Sequence, residues 1–198
     1  MSSQSKLPSI ILASQSPRRK QLLEWAEVPF EIIVKETNES YPENLPVDEI
    51  AIHIAKNKAL AVQTFLTGDD KRANKTILAA DTIVVLGNKV IGKPKDMQHA
   101  IETLTSLSGH KHRVITGVVI FSEKKEIVFA DVTEVEFHNL TEDEISFYVD
   151  KYKPYDKAGA YAIQEWIGVI GIKSVKGDFY NVMGLPVSRV VQALKEVL

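Results

Sequence analysis

Cysteine is absent from the 198 residues, which excludes disulfides, iron–sulfur clusters, thiolate zinc sites and a cysteine nucleophile. Catalysis, if there is any, falls to oxygen and nitrogen groups or to a metal held by them. An excess of positive charge is also missing: 24 Lys and Arg against 26 Asp and Glu leave a net charge of −2, so counterion release from a nucleic acid backbone has little to act on. There is no basic stripe interleaved with aromatics, which speaks against a nucleic acid partner. Long apolar runs are lacking too. Ile10-Ile11-Leu12-Ala13 is too short for the apolar region of a signal peptide, and no later run approaches the ~18 residues of a membrane span, so the expectation is a cytoplasmic chain with no membrane partner. No repeat of 20 to 50 residues is visible. What remains is ordinary globular usage, 44% hydrophobic and 25% charged, and a length that predicts a single domain over residues 1–198, built as one body or as two lobes.

Periodicity places the elements. Ser9 to Ala13 reads as a buried strand, and Ser16-Pro17 opens a helix carrying Leu22, Leu23, Trp25 and Ala26, with Ser16 at the N-cap and Pro17 at the first helical position. Phe30 to Val34 reads as a strand and Asn38 to Pro46 as a polar loop. Val47 to Leu66 reads as a helix with Ala51, Ile54, Ala55, Val62, Phe65 and Leu66 on one stripe. Thr76 to Leu86 is a β-branched run that turns at Gly87-Asn88 into Lys89 to Ile91. Asp96 caps a helix ending before Gly109, Val114 to Phe121 and Glu126 to Phe137 are strands joined by the charged Ser122–Lys125, and Thr141 opens a helix with a capping box. Tyr152 to Asn181 shows little periodicity, and Pro186 to Leu198 is an amphipathic helix. Strands alternate with helices, but at least two hairpins are present. The fold class is therefore α/β with a mixed, partly antiparallel sheet flanked by helices.

Several residues sit where bare packing logic would not put them. Ser14-Gln15-Ser16-Pro17-Arg18-Arg19 brings two hydroxyls and two guanidiniums to a strand-to-helix junction, where free N–H groups and the helix dipole favour an anion. It reads either as a phosphate cradle or as an N-cap followed by solvated arginines. Lys58 lies between Ile54 and Val62 on the apolar stripe of its helix, so it either snorkels to water or meets an anion. Asp81 is a lone carboxylate inside Ile77–Leu86 and needs a cation, a metal, a proton, or the backbone N–H bonds of a bulge. Lys93, in Gly92-Lys93-Pro94, and Glu39 add a cation and a carboxylate in loops. His110-Lys111-His112 could chelate a metal, but without a third ligand nearby it reads as a loop-to-strand junction. Asp156–Gln164 has the small residues of a close backbone approach or of a packed turn.

Taken in order, Ile11–Arg19, Ala80-Asp81-Thr82-Ile83-Val84, Gly92-Lys93-Pro94, Asp156-Lys157-Ala158-Gly159-Ala160-Tyr161 and Asn181-Val182-Met183-Gly184-Leu185-Pro186 resemble the Maf family of nucleoside triphosphate pyrophosphatases. The likeness runs from about Ile10 to the C-terminus. It implies hydrolysis of a nucleoside triphosphate substrate to the monophosphate and pyrophosphate. It also implies a divalent metal cation (Mg²⁺, Mn²⁺ or Co²⁺) as cofactor, and a Maf/ITPase-like fold of two lobes around a nucleotide cleft. Asp81 stands at the family's proton acceptor, and Glu39, with Asp81, at positions suited to the metal. Ser14, Arg18, Arg19, Lys58, Thr82, Lys93 and Gln164 are implied to bind substrate, with Arg18, Thr82 and Gln164 selecting it. Asp156-Lys157 and Gln164 resemble the branch associated with dTTP and UTP, to which modified pyrimidine nucleotides are added as candidates; the sister branch carries a Glu near that Gln and is associated with a methylated guanine nucleotide. Ala162 stands where a glycine is expected.

A triphosphate of about four negative charges would give Arg18, Arg19, Lys58 and Lys93 their counter-charge, so Lys58 and Arg19 are expected to face phosphates and not to support the core. A non-catalytic nucleotide-binding regulator linked to cell division is the alternative, and a homodimer is left open.

Overall fold

Ile10, Ile11 and Leu12 are wholly buried, as a strand covered on both faces must be. The computed structural model describes residues 7–123 and 125–198. The first six residues, and Lys124 in the charged Ser122–Lys125 connection, lie outside the described residues. In chain order the elements are β1 (Ile10–Leu12), α1 (Pro17–Trp25), β2 (Phe30–Ile32), α2 (Val47–Phe65), β3 (Ile77–Leu86), β4 (Lys89–Ile91), α3 (Met97–Leu107), β5 (Lys111–Phe121), β6 (Glu126–Phe137) and α4 (Glu142–Tyr152). A 3-10 turn at Ala158–Ala160 follows, then α5 (Trp166–Gly171), β7 (Ile172–Lys176), α6 (Phe179–Met183) and α7 (Val187–Val197). The strands form one sheet in the order β2-β1-β3-β5-β6-β7, with β4 paired to β3 off that path. β1 is parallel to β2 and β3, whereas β4 on β3 and β7 on β6 are antiparallel. The sheet is mixed, as the hairpin signals required.

The chain groups into two compact units. The first holds the segment ending at Asp81 together with Gly117–Ala130 and Gly184–Leu198; the second holds Thr82–Thr116 and Asp131–Met183. In the first unit the helices α1 and α2 supply the crossovers that parallel β1, β2 and β3 need. Ala55, Ala59 and Val62 of α2, with Leu66 just after it, pack on Ile11, Ala13, Ile77, Ala79, Val119 and Phe121. Burying a large aliphatic side chain in this way contributes about 1.5–3 kcal/mol. α2 lies so close to β5 that a Cβ on Gly117 would stand 2.3 Å from the Ala51 carbonyl carbon, so only glycine fits. α7 buries Val190, Ala193, Leu194 and Val197 on one face.

In the second unit α3 packs on α4 and on the 3-10 turn. Thr141 and Glu144 form the expected capping box at the start of α4. Asn181 is fully buried, its Nδ2 donating to the Val114 carbonyl and to Thr133 Oγ1, each at 3.0 Å.

The elements differ from the sequence expectations in four places. Trp25 and Phe65 do not join the buried stripes: they are 60% and 55% exposed, and the Lys35 ammonium covers the Phe65 ring at 3.3 Å. β2 stops at Ile32. β5 starts three residues before Val114, because Lys111 and His112 alternate outward and inward as a strand requires although both are polar. The Tyr152–Asn181 stretch contains α5 and β7 and the start of α6. β7 is largely exposed, with a single sheet neighbour, so its Lys-Ser-Val-Lys side chains carry no burial pattern to read.

Candidate functional site

Within the first unit, the register places the chemistry. Ala13 N donates to the Leu78 carbonyl at 2.8 Å, and three residues further along β3 comes Asp81, past the carboxyl end of β1. Ligands of open α/β sheets gather at such strand ends. The chain leaving β1 turns at Ser14–Ser16, where Ser16 Oγ accepts the Arg19 N–H at 3.4 Å and Pro17 starts α1. Ser14 is buried, and its Oγ accepts from Ser16 N at 3.2 Å and from Arg19 Nη1 at 3.0 Å. With both lone pairs engaged, what this hydroxyl has left to offer is its own proton, which suits a phosphate oxygen.

Arg19 is not the solvated arginine of the second sequence reading. It is 8% exposed, and its Nε donates to the Gly184 carbonyl at 2.8 Å, so it anchors the segment before α7 as well as the turn at Ser14. Burial lowers its pKa first, the Asp81 charge raises it, Arg18 lowers it and Glu39 raises it again. A cation in the first turn of a helix is unfavourable to the dipole; here carboxylates, a serine oxygen and a main-chain carbonyl compensate. Arg18, half-buried, adds a second guanidinium.

The Lys58 ammonium resolves the two anomalies of the sequence together. Its Nζ lies 2.7 Å from Asp81 Oδ1 and 2.7 Å from Glu39 Oε1. The side chains of Lys58 and Asp81 are 18% and 14% exposed, so the ammonium neither snorkels freely nor packs in the core. Glu39 comes from a polar loop and is half exposed. Two carboxylates thus converge on one point beside two arginines, with formal charges of three cations and two anions. Among the described residues, no three His, Asp or Glu side chains gather into a metal site. The pair Glu39 and Asp81 still fits a hard divalent ion of the Mg²⁺ kind, which takes one or two carboxylates and completes its shell with water and substrate phosphate.

In the second unit, Thr82 Oγ1 lies 2.9 Å from Thr116 Oγ1, and Thr116 Oγ1 donates to the Asn181 carbonyl at 3.1 Å. Since Thr116 spends its one proton there, Thr82 is the donor of the pair. Lys93 is exposed and follows Gly92, whose carbonyl accepts from Gly159 N at 3.2 Å. This bond ties the Asp156–Tyr161 loop to the Gly92-Lys93-Pro94 turn. Gln164 is exposed in the next turn, between buried Ile163 and half-buried Glu165. Thr82, expected to help select substrate, is bonded to Thr116.

Sequence reasoning missed the groups under that turn. Lys157 is 9% exposed, with Nζ 2.7 Å from Asp156 Oδ1 and 3.6 Å from Glu165 Oε1. The wholly buried Tyr148 donates its hydroxyl proton to Glu165 Oε2 and accepts the Ala162 N–H at 3.2 Å. Tyr148 sits on a helical stripe like any core aromatic, so only the position of Glu165 next to Gln164 hinted at a role. His112 does not chelate. It is buried, its Nε2 lies 2.7 Å from Tyr161 Oη, and its ring stands edge-on to Phe137 and Tyr161.

A family profile described as Maf-like protein matches residues 9–197. The chain is 49% identical over 188 residues to the dTTP/UTP pyrophosphatase of Cytophaga hutchinsonii, covering 95% of this chain and 84% of that one. It is 46% identical over 187 residues to the dTTP/UTP pyrophosphatase of Bacillus mycoides, covering 94% of each. Among solved structures, the Staphylococcus aureus Ham1 protein superposes with a TM-score of 0.50 over 96% of this chain and 98% of that one. At 18% identity this likeness concerns the fold alone.

Proposed function

The chain belongs to the Maf family, and from that premise we propose that it hydrolyses dTTP and UTP, and modified pyrimidine nucleotides of the same base edge, to the monophosphate and pyrophosphate. The observation that carries this reading is the Asp81–Lys58–Glu39 arrangement beside Arg18 and Arg19 at the end of β1. The shared name of the relatives is that of an enzyme, which favours hydrolysis over the regulatory alternative.

In this reading Ser14, Arg18, Arg19 and Lys58 hold the polyphosphate, where preorganised donors meet the charge that develops on its oxygens. Asp81 accepts the proton of the attacking water. The water oxygen ends on phosphorus, the anhydride between the α- and β-phosphates breaks, and pyrophosphate leaves with the bonding pair. Lys58 pairs with Asp81 and aims it, and gives up part of its hold on the two carboxylates when phosphate oxygens arrive. Glu39 and Asp81 would hold the divalent cation, which when bound neutralises phosphate charge and polarises the reacting oxygen. In the second unit Lys93 is a further phosphate ligand, and Thr82 and Gln164 select the base. A uracil or thymine ring offers an N3–H donor beside an O4 acceptor, and the Gln164 amide matches that edge with its carbonyl and NH₂. Cytosine reverses the pattern.

A panel of nucleoside triphosphates with Mg²⁺, Mn²⁺ or Co²⁺, read as monophosphate and pyrophosphate, tests this. Turnover of dTTP and UTP with equimolar pyrophosphate is the expected result, with CTP, ATP and GTP slower by roughly 10- to 100-fold. Tight binding without pyrophosphate release would show a sensor instead.

A further inference from the structure

Gln164 makes no side-chain hydrogen bond or ion pair among the described residues, so the constraint on where its side chain starts comes from the backbone that carries it. We infer that Tyr148 fixes that backbone and is thereby a specificity-positioning residue for the base. The inference rests on the reading of Gln164 given above.

The Tyr148 ring is wholly buried and stacks on Tyr152 at 4.9 Å between centroids. A phenylalanine would fill that space equally well. A buried hydroxyl needs partners to offset its desolvation, and two partners of this one flank Gln164: the N–H of Ala162, two residues before it, and the carboxylate of Glu165, one residue after it. One oxygen therefore clamps both ends of the turn, accepting at the first and donating at the second. The turn is closed by Glu165 N on the Ala162 carbonyl at 3.1 Å. It is pressed from below by Gly168, where a Cβ would stand 1.8 Å from the Ile163 carbonyl oxygen. The far side of Glu165 faces the Lys157 ammonium at 3.6 Å. The result is a rigid turn with one exposed side chain, Gln164, projecting from it. Distinguishing N3–H and O4 from N3 and N4–H₂ needs a reading group held within about 0.5 Å and 10–20°. Tyr148 serves that need by holding the backbone of the turn from which Gln164 projects.

The test is the ratio of kcat/KM for UTP over CTP in the wild type, Tyr148→Phe, Gln164→Ala and the double variant. Tyr148→Phe lowers the ratio by about 3- to 10-fold, mainly through KM for UTP, while kcat for UTP changes by less than about threefold. The double variant shows no loss beyond Gln164→Ala. Should Tyr148→Phe fail to fold, Glu165→Ala, which removes the acceptor of the hydroxyl, lowers the ratio likewise, and Glu165→Gln, which keeps an acceptor oxygen, holds it within about twofold. A fall in Tm with an unchanged ratio, while Gln164→Ala does change it, overturns the inference and leaves the base reading standing. An unchanged ratio in Gln164→Ala overturns the base reading, and the inference with it.

Discussion

Lowering the pH from 7 to 5 is expected to destabilise this protein, His112 being one identifiable contributor. Its ring is 2% exposed. Nδ1 is buried without a hydrogen-bond partner among the described residues, and Nε2 faces the Tyr161 hydroxyl. Burial pushes the imidazole down from 6.5 to about 4, the His110 backbone acting weakly the other way. Burial likewise pushes the Tyr161 phenol up, so the pair is neutral throughout the physiological range. Between about pH 6.5 and 4 the unfolded chain takes up a proton that the folded chain refuses. The unfolded state therefore gains as pH falls: the contribution of His112 is whole above the unfolded value and is lost on acidification toward the folded one. With these two values the loss is about 2 kcal/mol between pH 7 and 5, and about 3 kcal/mol across the whole window. Urea unfolding followed by the fluorescence of the two tryptophans measures it, with His112→Gln as reference. The glutamine reaches the Tyr161 hydroxyl and does not titrate, while the carboxylates common to both chains cancel. The wild type is expected to lose about 2 kcal/mol more than the variant. Equal pH dependence of the two proteins, or a wild type steadier at pH 5, would refute a neutral, desolvated His112.

Other substitutions separate chemistry from scaffold. Asp81→Asn keeps the shape but can neither accept a proton nor carry charge, so turnover should fall ~10²- to 10⁴-fold with the circular dichroism spectrum retained; near wild-type activity would remove Asp81 from the reaction. Lys58→Ala should lower kcat and leave Asp81 and Glu39 without the ammonium between them. A change in Tm alone would make Lys58 a structural cation only. Arg19→Ala should cost both activity and Tm, because its bonds to Ser14 and the Gly184 carbonyl hold the unit together; a variant with unaltered Tm would contradict that anchoring. Gly168→Ala forces a Cβ into the Ile163 carbonyl oxygen, and a loss of about 1–3 kcal/mol by thermal melt is expected.

Much of this was legible in the chain because the signals are local. Ser16-Pro17 announces a helix start through capping chemistry, Gly87-Asn88 announces a hairpin, and the regular apolar spacing of α2 announces its buried face. Asp81 and Lys58 were visible as charges in apolar surroundings, and such charges need partners wherever the chain places them. Composition excluded thiol chemistry outright. The ordered motifs from Ile11 to Pro186 carried the family likeness.

What the sequence left open depends on distance along the chain. That Asp81 and Lys58 are each other's partner, with Glu39 as the third member, follows from β3 running beyond β1 and from α2 lying across the strands; no spacing encodes it. That Arg19 is also an anchor is invisible until Gly184, 165 residues away, supplies a carbonyl. Trp25 and Phe65 carry the apolar label but fall outside the buried faces, since the curvature of a helix against its sheet decides how wide the covered stripe is. The edge strand β7 and the Tyr148–Glu165 bond escaped notice because neither leaves a periodic signal in the chain. Periodicity records which side of an element is apolar, whereas a hydrogen bond between a buried hydroxyl and a distant turn is settled only when tertiary packing brings the two within 3 Å or so.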